Sequence, residues 1–461
     1  MIGRRKEFEF LKRLYESDSF QLLVMYGRRR VGKTYLLSSF LSTHDGVYFM
    51  AKEKDDAGNV ASLWKAISRY YGNAPSFASP KRLSDILDFI DQEDRGLFLV
   101  IDEYQWFGEN IANLNSVLQE YVDRWKREKR NIKIVLCGSV ISMMRDLIDD
   151  KQSPLYGRQT AQLELLPFPY WEMGEFFPEL SPKQRLEAYM MTGGVPYYLE
   201  FYSPGDTPAS FIQDNLVEVT GALRNEAETI VKEEVRKSGP YLRLLSLLAG
   251  GANTFAELMP HFEGKSSLLS SYLETLEEKL CLIEKVEPAL GGKGKPIYRI
   301  KDLFCLLYFS LIYPNADDPA YWLNPEVFGQ RYLTEERVST FFGVAFERVC
   351  HDYMDRLSAY GGLPHPYPRF QNHWEGEREF DFAALSKKGE LALGECKWTN
   401  KELSASKYFE MLQFAEGRGL QNHTQFYFVS REGFSPRLME LAQEKTNIHL
   451  VSLSDLFVLP Q

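Results

Sequence analysis

The sequence predicts an α/β protein in which a parallel sheet comes first, a run of helices follows, and a second mixed α/β region closes the chain. Three observations carry this expectation. Short apolar runs at 22–26, 47–50, 97–101 and 132–137 are separated by longer charged segments such as 61–71 and 113–129. Runs without polar alternation, spaced by helices, are what a parallel sheet covered on both faces requires. Beyond about residue 171 the apolar residues recur at helical spacing instead, as in Leu186, Tyr189 and Met190. From residue 303 onward strand-like and helix-like patterns alternate again.

Taken in order, residues 1–170 read as the sheet domain and 171–238 as a small helical domain. In 239–302 helices are expected at 241–248, 255–261 and 267–279. An extended piece at 281–286, a Gly-rich loop at 291–296 and a strand at 297–300 come next. Three helices followed by a β-hairpin is the order of a winged helix. Residues 303–461 offer a helix at 341–357, strands at 379–385 and 391–397, a helix at 404–417, and strands at 425–430 and 448–451. The expectation is therefore four domains.

Composition narrows the function classes. Apolar residues make up 44% of the 461 positions, enough for packed cores and too many for a disordered chain. The net charge of −10, from 54 Lys/Arg against 64 Asp/Glu, rules out a polybasic nucleic-acid coat but not a local basic patch. Cys137, Cys281, Cys305, Cys350 and Cys396 stand alone, without a CxxC pair. That usage argues against zinc sites and disulfides and fits a cytoplasmic protein. The longest uncharged apolar stretch, 304–313, is well short of the ~20 residues a bilayer span needs, and no signal peptide is evident, so no membrane partner is expected.

Gly27-Arg28-Arg29-Arg30-Val31-Gly32-Lys33-Thr34 fits G-x-x-x-x-G-K-[ST] between a strand and a helical run that begins at Tyr35. The glycines let successive backbone N–H groups curl around phosphates. Lys33 reaches the terminal phosphates, and Thr34 offers a hydroxyl to Mg²⁺. The apolar run at 97–101 ends in Asp102-Glu103. Asp102 is placed to hold the Mg²⁺ and Glu103 to polarise an attacking water, which implies hydrolysis of a nucleotide's terminal phosphoanhydride. Ser139 follows the run at 132–137 and either senses the γ-phosphate or caps the next helix. Arg158 either stabilises charge, in cis or from a neighbouring subunit of a homo-oligomer, or is a solvated loop arginine.

These motifs together resemble the prokaryotic archaeal-type ATPases related to the AAA+ and STAND P-loop NTPases. The matching pieces are Ile2-Gly3-Arg4-Arg5, the GRRRVGKT loop, Asp102-Glu103, Gly138-Ser139, Leu155-Tyr156-Gly157-Arg158 and Gly193-Gly194-Val195-Pro196. The resemblance implies ATP as the nucleotide, a five-stranded core with the loop strand central, and positions near the base and phosphates for Gly3, Arg4, Gly194 and Pro196. It also implies that 171–238 is a helical lid and that a winged helix follows. That segment carries eight Lys/Arg and eight Asp/Glu, so only the wing, with Lys293, Lys295 and Arg299, offers local positive charge. An interdomain role is weighed there against DNA binding.

In the last region Asp381 lies on one expected strand and Glu395 and Lys397 on the next, thirteen residues separating the two carboxylates. Glu395 and Lys397 share a face because the strand period is two. Such a cluster suits a second divalent ion, Mg²⁺ or Mn²⁺, with Lys397 steadying charge on a phosphodiester. With Glu347 on the preceding helix, the pattern resembles the PD-(D/E)XK, restriction-endonuclease-like fold. The resemblance implies Glu347, Asp381 and Glu395 as metal ligands, Lys397 as a catalytic residue, and DNA or RNA as substrate. The alternative expectation is a non-catalytic scaffold that docks partners.

Overall fold

The computed structural model describes residues 2–53, 56–72, 80–108, 114–292 and 294–458. Asn113 and Lys293, which the sequence places at a helix start and in the wing, lie outside these residues. The chain separates into two units, one of residues 1–167 with 195–197, the other of 168–194 with 198–461.

In the first unit, β1 (Gln21–Tyr26), β2 (Val47–Met50), β3 (Leu97–Asp102), β4 (Ile132–Gly138) and β5 (Ala161–Glu164) form one sheet in the order β2-β3-β4-β1-β5. Every pairing is parallel. The apolar runs are unbroken because each strand feeds two cores. Leu22, Val24, Leu97, Leu99, Ile101, Ile132, Ile134 and Leu136 face one. Leu23, Met25, Phe98, Val100, Val135 and Cys137 face the other, with Leu36, Leu37 and Phe40 of the helix Lys33–Leu41 packed on them. The strand before the loop is interior, as the resemblance implies, but β4 takes the middle place and β1 lies between β4 and the edge strand β5. The parallel pairing leaves Tyr26, Asp102 and Gly138 at one end of the sheet, where the loops after β1, β3 and β4 meet.

The second unit begins with helices whose ends are written in the sequence. Pro182–Thr192 starts on a Ser181/Gln184 capping box and stops at Gly193 in the left-handed region. Phe255–Leu258 starts on a Thr254/Glu257 box. The helices Ser266–Glu274 and Thr275–Lys279 lead into an antiparallel ribbon of β6 (Ile283–Val286) and β7 (Ile297–Ile300). The apolar stretch at 304–313 folds mainly as the buried helix Leu303–Leu311, capped by Asp302. No helix of the described residues is long and apolar enough to cross a membrane.

A mixed sheet, β12-β11-β10-β9-β8, completes this unit. Its strands are β8 (Gln371–Glu375), β9 (Arg378–Leu385), β10 (Leu391–Lys397), β11 (Thr424–Ser430) and β12 (Ile448–Ser452). β8, β9 and β10 pair antiparallel and β10, β11 and β12 parallel. One face packs Leu391, Leu393, Phe426 and Phe428 against Tyr408, Met411 and Phe414 of the helix Ser406–Gly417. The long helix Glu335–Ala359 adjoins the sheet through His351, whose Nε2 donates to the Asp381 carbonyl at 2.7 Å. The edge strand β8 is met by the ribbon. Ala289 N donates to Asn372 O at 3.0 Å, Trp374 Nε1 donates to Lys295 O at 3.2 Å, and Ala289 and Leu290 pack on the sheet's core.

Candidate functional site

The loop between β1 and the helix Lys33–Leu41 is held from several sides. A Cβ at Gly27 would stand 2.3 Å from the Leu165 carbonyl oxygen, so only glycine lets the loop leave the sheet there. Gly32 takes φ +94 and Arg30 φ +69, the alternation that turns backbone N–H groups inward. Buried Arg4 donates to Val31 O at 3.0 Å and Leu166 O at 2.7 Å, so it buttresses the loop from beneath. Pro196 Cγ lies 3.9 Å from the point where a Gly32 Cβ would be, and the Arg30 guanidinium stands 4.1 Å over the Tyr197 ring. Pro196 thus does come to the loop. Gly194 belongs to the other unit, where its φ of +70 and a Cβ position 1.9 Å from Phe168 O exclude any other residue. Gly3 turns the chain at φ +66 just ahead of the helix Arg5–Tyr15, and Tyr35 is two-thirds exposed.

Lys33 is buried, and its Nζ donates to Gly27 O at 2.7 Å and Arg28 O at 3.0 Å. Burial pulls its ammonium below the usual lysine range, against the attraction of Glu103 and Asp102. Thr34 Oγ1 donates to Asp102 Oδ2 at 2.7 Å, and Tyr48 OH donates to the same oxygen at 2.6 Å. Asp102 has no exposed surface, and its Oδ1 accepts the Glu103 N–H at 2.9 Å. A hydroxyl and a buried carboxylate facing each other are the hard oxygen donors Mg²⁺ takes, so the residues present fit that ion.

Ser139 does not cap the following helix, whose first cap is Val140. Its Oγ donates instead to Glu103 Oε2 at 2.9 Å. Arg158 is not among the groups that bond to the loop. Its guanidinium forks onto Asp123 at 2.9 and 3.0 Å, and a third bond goes to the Tyr156 carbonyl. A bidentate arginine–carboxylate pair is a strong local alternative to a charge-stabilising role.

Residues 1–201 match the family described as an ATPase domain predominantly from Archaea. The N-terminal part of this chain is thus similar to that ATPase domain. Residues 308–408 match a family of archaeal and bacterial proteins of unknown function. An uncharacterized protein of Methanocaldococcus jannaschii is 26% identical over 447 residues, which cover 93% of this chain and 94% of that one. An uncharacterized ATP-binding protein of the same organism is 48% identical over 40 residues, 9% of this chain and 68% of its own. Among solved structures, the Walker-type ATPase of Pyrococcus abyssi is similar at 20% identity and a TM-score of 0.48, covering 67% of this chain and 96% of its own. The Orc2 protein of Aeropyrum pernix, in ADPNP–ADP complexes, is similar at 15% identity and a TM-score of 0.40, covering 67% of this chain and 92% of its own.

Beyond residue 201, the carboxylates expected near the C-terminus are brought to one region. Lys397 Nζ lies 2.7 Å from Glu395 Oε1 and 3.8 Å from Asp381 Oδ2, and Asp381 Oδ2 also accepts the Cys396 N–H at 2.8 Å. Glu395 is buried and takes a second lysine, Lys407, at 3.5 Å. Glu347 Oε2 accepts from Asn372 Nδ2 at 2.9 Å, and Asn372 Oδ1 accepts from Arg299 Nη1 at 2.6 Å. Burial first, and then the charge of Asp381, raises Glu347 to about 7 and pushes Glu395 above the carboxylate range. Burial opposes the Lys397 ammonium, but Asp381 and Glu395 outweigh it and hold the lysine firmly charged.

The cluster differs from the expected metal site in one respect. Among the described residues no three His, Cys, Asp or Glu side chains gather as a metal-ligand group. Instead one oxygen of each carboxylate meets a side-chain donor: Asn372 bonds Glu347 Oε2, Lys397 and Lys407 meet Glu395 Oε1, and Lys397 lies near Asp381 Oδ2. The sequence reading missed Tyr48, Gln105, Asn372 and Lys407. Each acts across the sheet or between elements, and only Gln105, two residues past Glu103, lay close enough in sequence to be seen.

Proposed function

We propose that this chain is an ATP-hydrolysing nucleotide switch whose output passes through its C-terminal domain. The observation that carries the reading is the pair of bonds that joins Thr34 to Asp102 and Glu103 to Ser139 at the end of the sheet, next to the loop. Thr34 and Asp102 would hold Mg²⁺, which neutralises charge on the terminal phosphates. Lys33 exchanges its loop carbonyls for phosphate oxygens. Glu103 orients the water, and Ser139 couples that carboxylate to the γ-phosphate. Arg158 is engaged with Asp123, so a charge-stabilising role for it, in cis or towards a neighbouring subunit, requires that pair to open.

In this reading residues 171–238 act as the lid and 239–302 as a winged helix that relays between domains. The ribbon's bonds to β8 support that relay over DNA reading. The path Arg299–Asn372–Glu347 leads from the ribbon into the carboxylate cluster. The finer reading is metal-dependent action of Glu347, Asp381, Glu395 and Lys397 on nucleic acid, and it requires the carboxylates to draw together around the ion. A second reading, a docking scaffold without chemistry, is favoured by the lysines that already neutralise the cluster.

One experiment separates the two. The full chain is incubated with single- and double-stranded DNA and RNA, with and without ATP and Mn²⁺. The nuclease reading expects Mn²⁺-dependent cleavage that Lys397→Ala abolishes while ATP binding survives. Cleavage that persists in that variant rejects the assignment. Nucleotide-dependent association with no cleavage of any substrate supports the scaffold.

A further inference from the structure

Gln105 opens the short helix Gln105–Gly108, two residues beyond Glu103, and is almost fully buried at the end of the sheet. Its Nε2 donates to Glu103 Oε2 and to Ser139 Oγ, the latter at 3.1 Å. Ser139 Oγ donates in turn to the same Glu103 oxygen at 2.9 Å. The three side chains close a ring in which one carboxylate oxygen receives both donors. The orientation of the amide is fixed by chemistry, since an ionised carboxylate only accepts and the group facing it must be the NH₂. No hydrogen bond to Glu103 Oε1 is found among the described residues.

The surroundings are shaped for this arrangement. Glu103 takes φ +52, a left-handed backbone that a residue with a side chain adopts only when its surroundings impose it. Gly138, at the end of β4, leaves the room that Gln105 fills: a Cβ there would stand 2.9 Å from Gln105 Oε1 and 2.6 Å from Met144 Sδ. Gln105 Oε1 is buried without a hydrogen-bond partner. An unpaired buried acceptor is a cost to stability, so the amide's presence there points to a reason other than stability.

We propose that Gln105 is a positioning residue for ATP hydrolysis, which clamps Glu103 Oε2 together with Ser139 so that Oε1 is presented to the attacking water. A glutamate has three rotatable side-chain bonds, and a base displaced by about 1 Å loses on the order of 10²-fold in rate. A neutral amide suits the task. It fixes the carboxylate without supplying a full positive charge that would reduce its basicity as a lysine or arginine would. Ser139 then connects the clamp to the γ-phosphate, so one contact with nucleotide reorients the group that activates water. The proposal rests on Glu103 as the group that orients the water.

The test uses the full chain, with steady-state ATP hydrolysis and binding of a fluorescent ATP analogue measured on Gln105→Leu and on the isosteric Gln105→Glu. In both variants kcat falls about 10- to 100-fold while KM and analogue affinity stay within about twofold, because the loop and Lys33 are untouched. Gln105→Leu adds little to the loss already caused by Ser139→Ala, since both donors serve one oxygen. Turnover within about twofold of wild type in both Gln105 variants overturns the clamp and leaves Glu103 in its role. Equal losses in kcat and in analogue affinity make Gln105 a structural residue and overturn it as well. If Glu103→Gln hydrolyses ATP at the wild-type rate, the role of Glu103 falls, and the clamp with it. Should Gln105→Leu fail to fold, Gln105→Glu decides alone.

Discussion

Glu347 is the residue at which burial and like charge act together, and its carboxyl is raised to about 7 from an ordinary value of 4.5. A carboxyl raised on folding favours the folded state while it is protonated. That contribution is full below about pH 4.5 and is lost as pH rises through about 7. Glu347→Gln imitates the protonated form. Its melting temperature is therefore expected to exceed the wild-type value at pH 8 and to converge with it at pH 5, as followed by circular dichroism. Parallel curves across that range would assign the titration elsewhere. The residues of the nucleotide loop were legible because they are contiguous and their spacing is their geometry. Tyr48 and Asn372 were not, because they bond to Asp102 and Glu347 from other elements and have no pattern along the chain.

At the scale of the element, β10 shows how a strand can be specified by the residue it lacks. Gly394 precedes Glu395, and a Cβ there would stand 1.9 Å from the ring of Phe382, which is fully buried and has nowhere to move. Gly394→Ala should cost about 1–3 kcal/mol and lower the denaturation midpoint without changing ATP hydrolysis. A variant as stable as wild type would mean that β9 yields where its packing says it cannot. Most strands were visible as apolar runs, since a strand buried on both faces has no polar positions to hide it. β8 was missed because its Gln-Asn-His-Trp-Glu sequence reads as a loop. It becomes a strand only by pairing with β9 at the sheet's edge, and the ribbon's bonds to it come from residues far away in the chain.

For the whole molecule, a ligand that binds only the folded chain raises its apparent stability by an amount set by concentration over Kd, about 2.7 kcal/mol at a hundredfold excess. ATP with Mg²⁺ should therefore raise the first thermal transition of wild type, and Lys33→Ala should abolish that shift. A shift retained in Lys33→Ala would place the nucleotide elsewhere. The α/β class, four of the five strands of the first sheet, and the phosphate loop with Asp102-Glu103 were set by the sequence alone. Each depends on periodicity or on neighbours within a few residues. Tertiary structure decided which side chain meets which. Ser139 holds Glu103 rather than capping a helix, Arg158 goes to Asp123, and Lys397 and Lys407 sit on carboxylates expected to hold a metal. Those outcomes depend on distances between elements, which spacing along a chain does not encode.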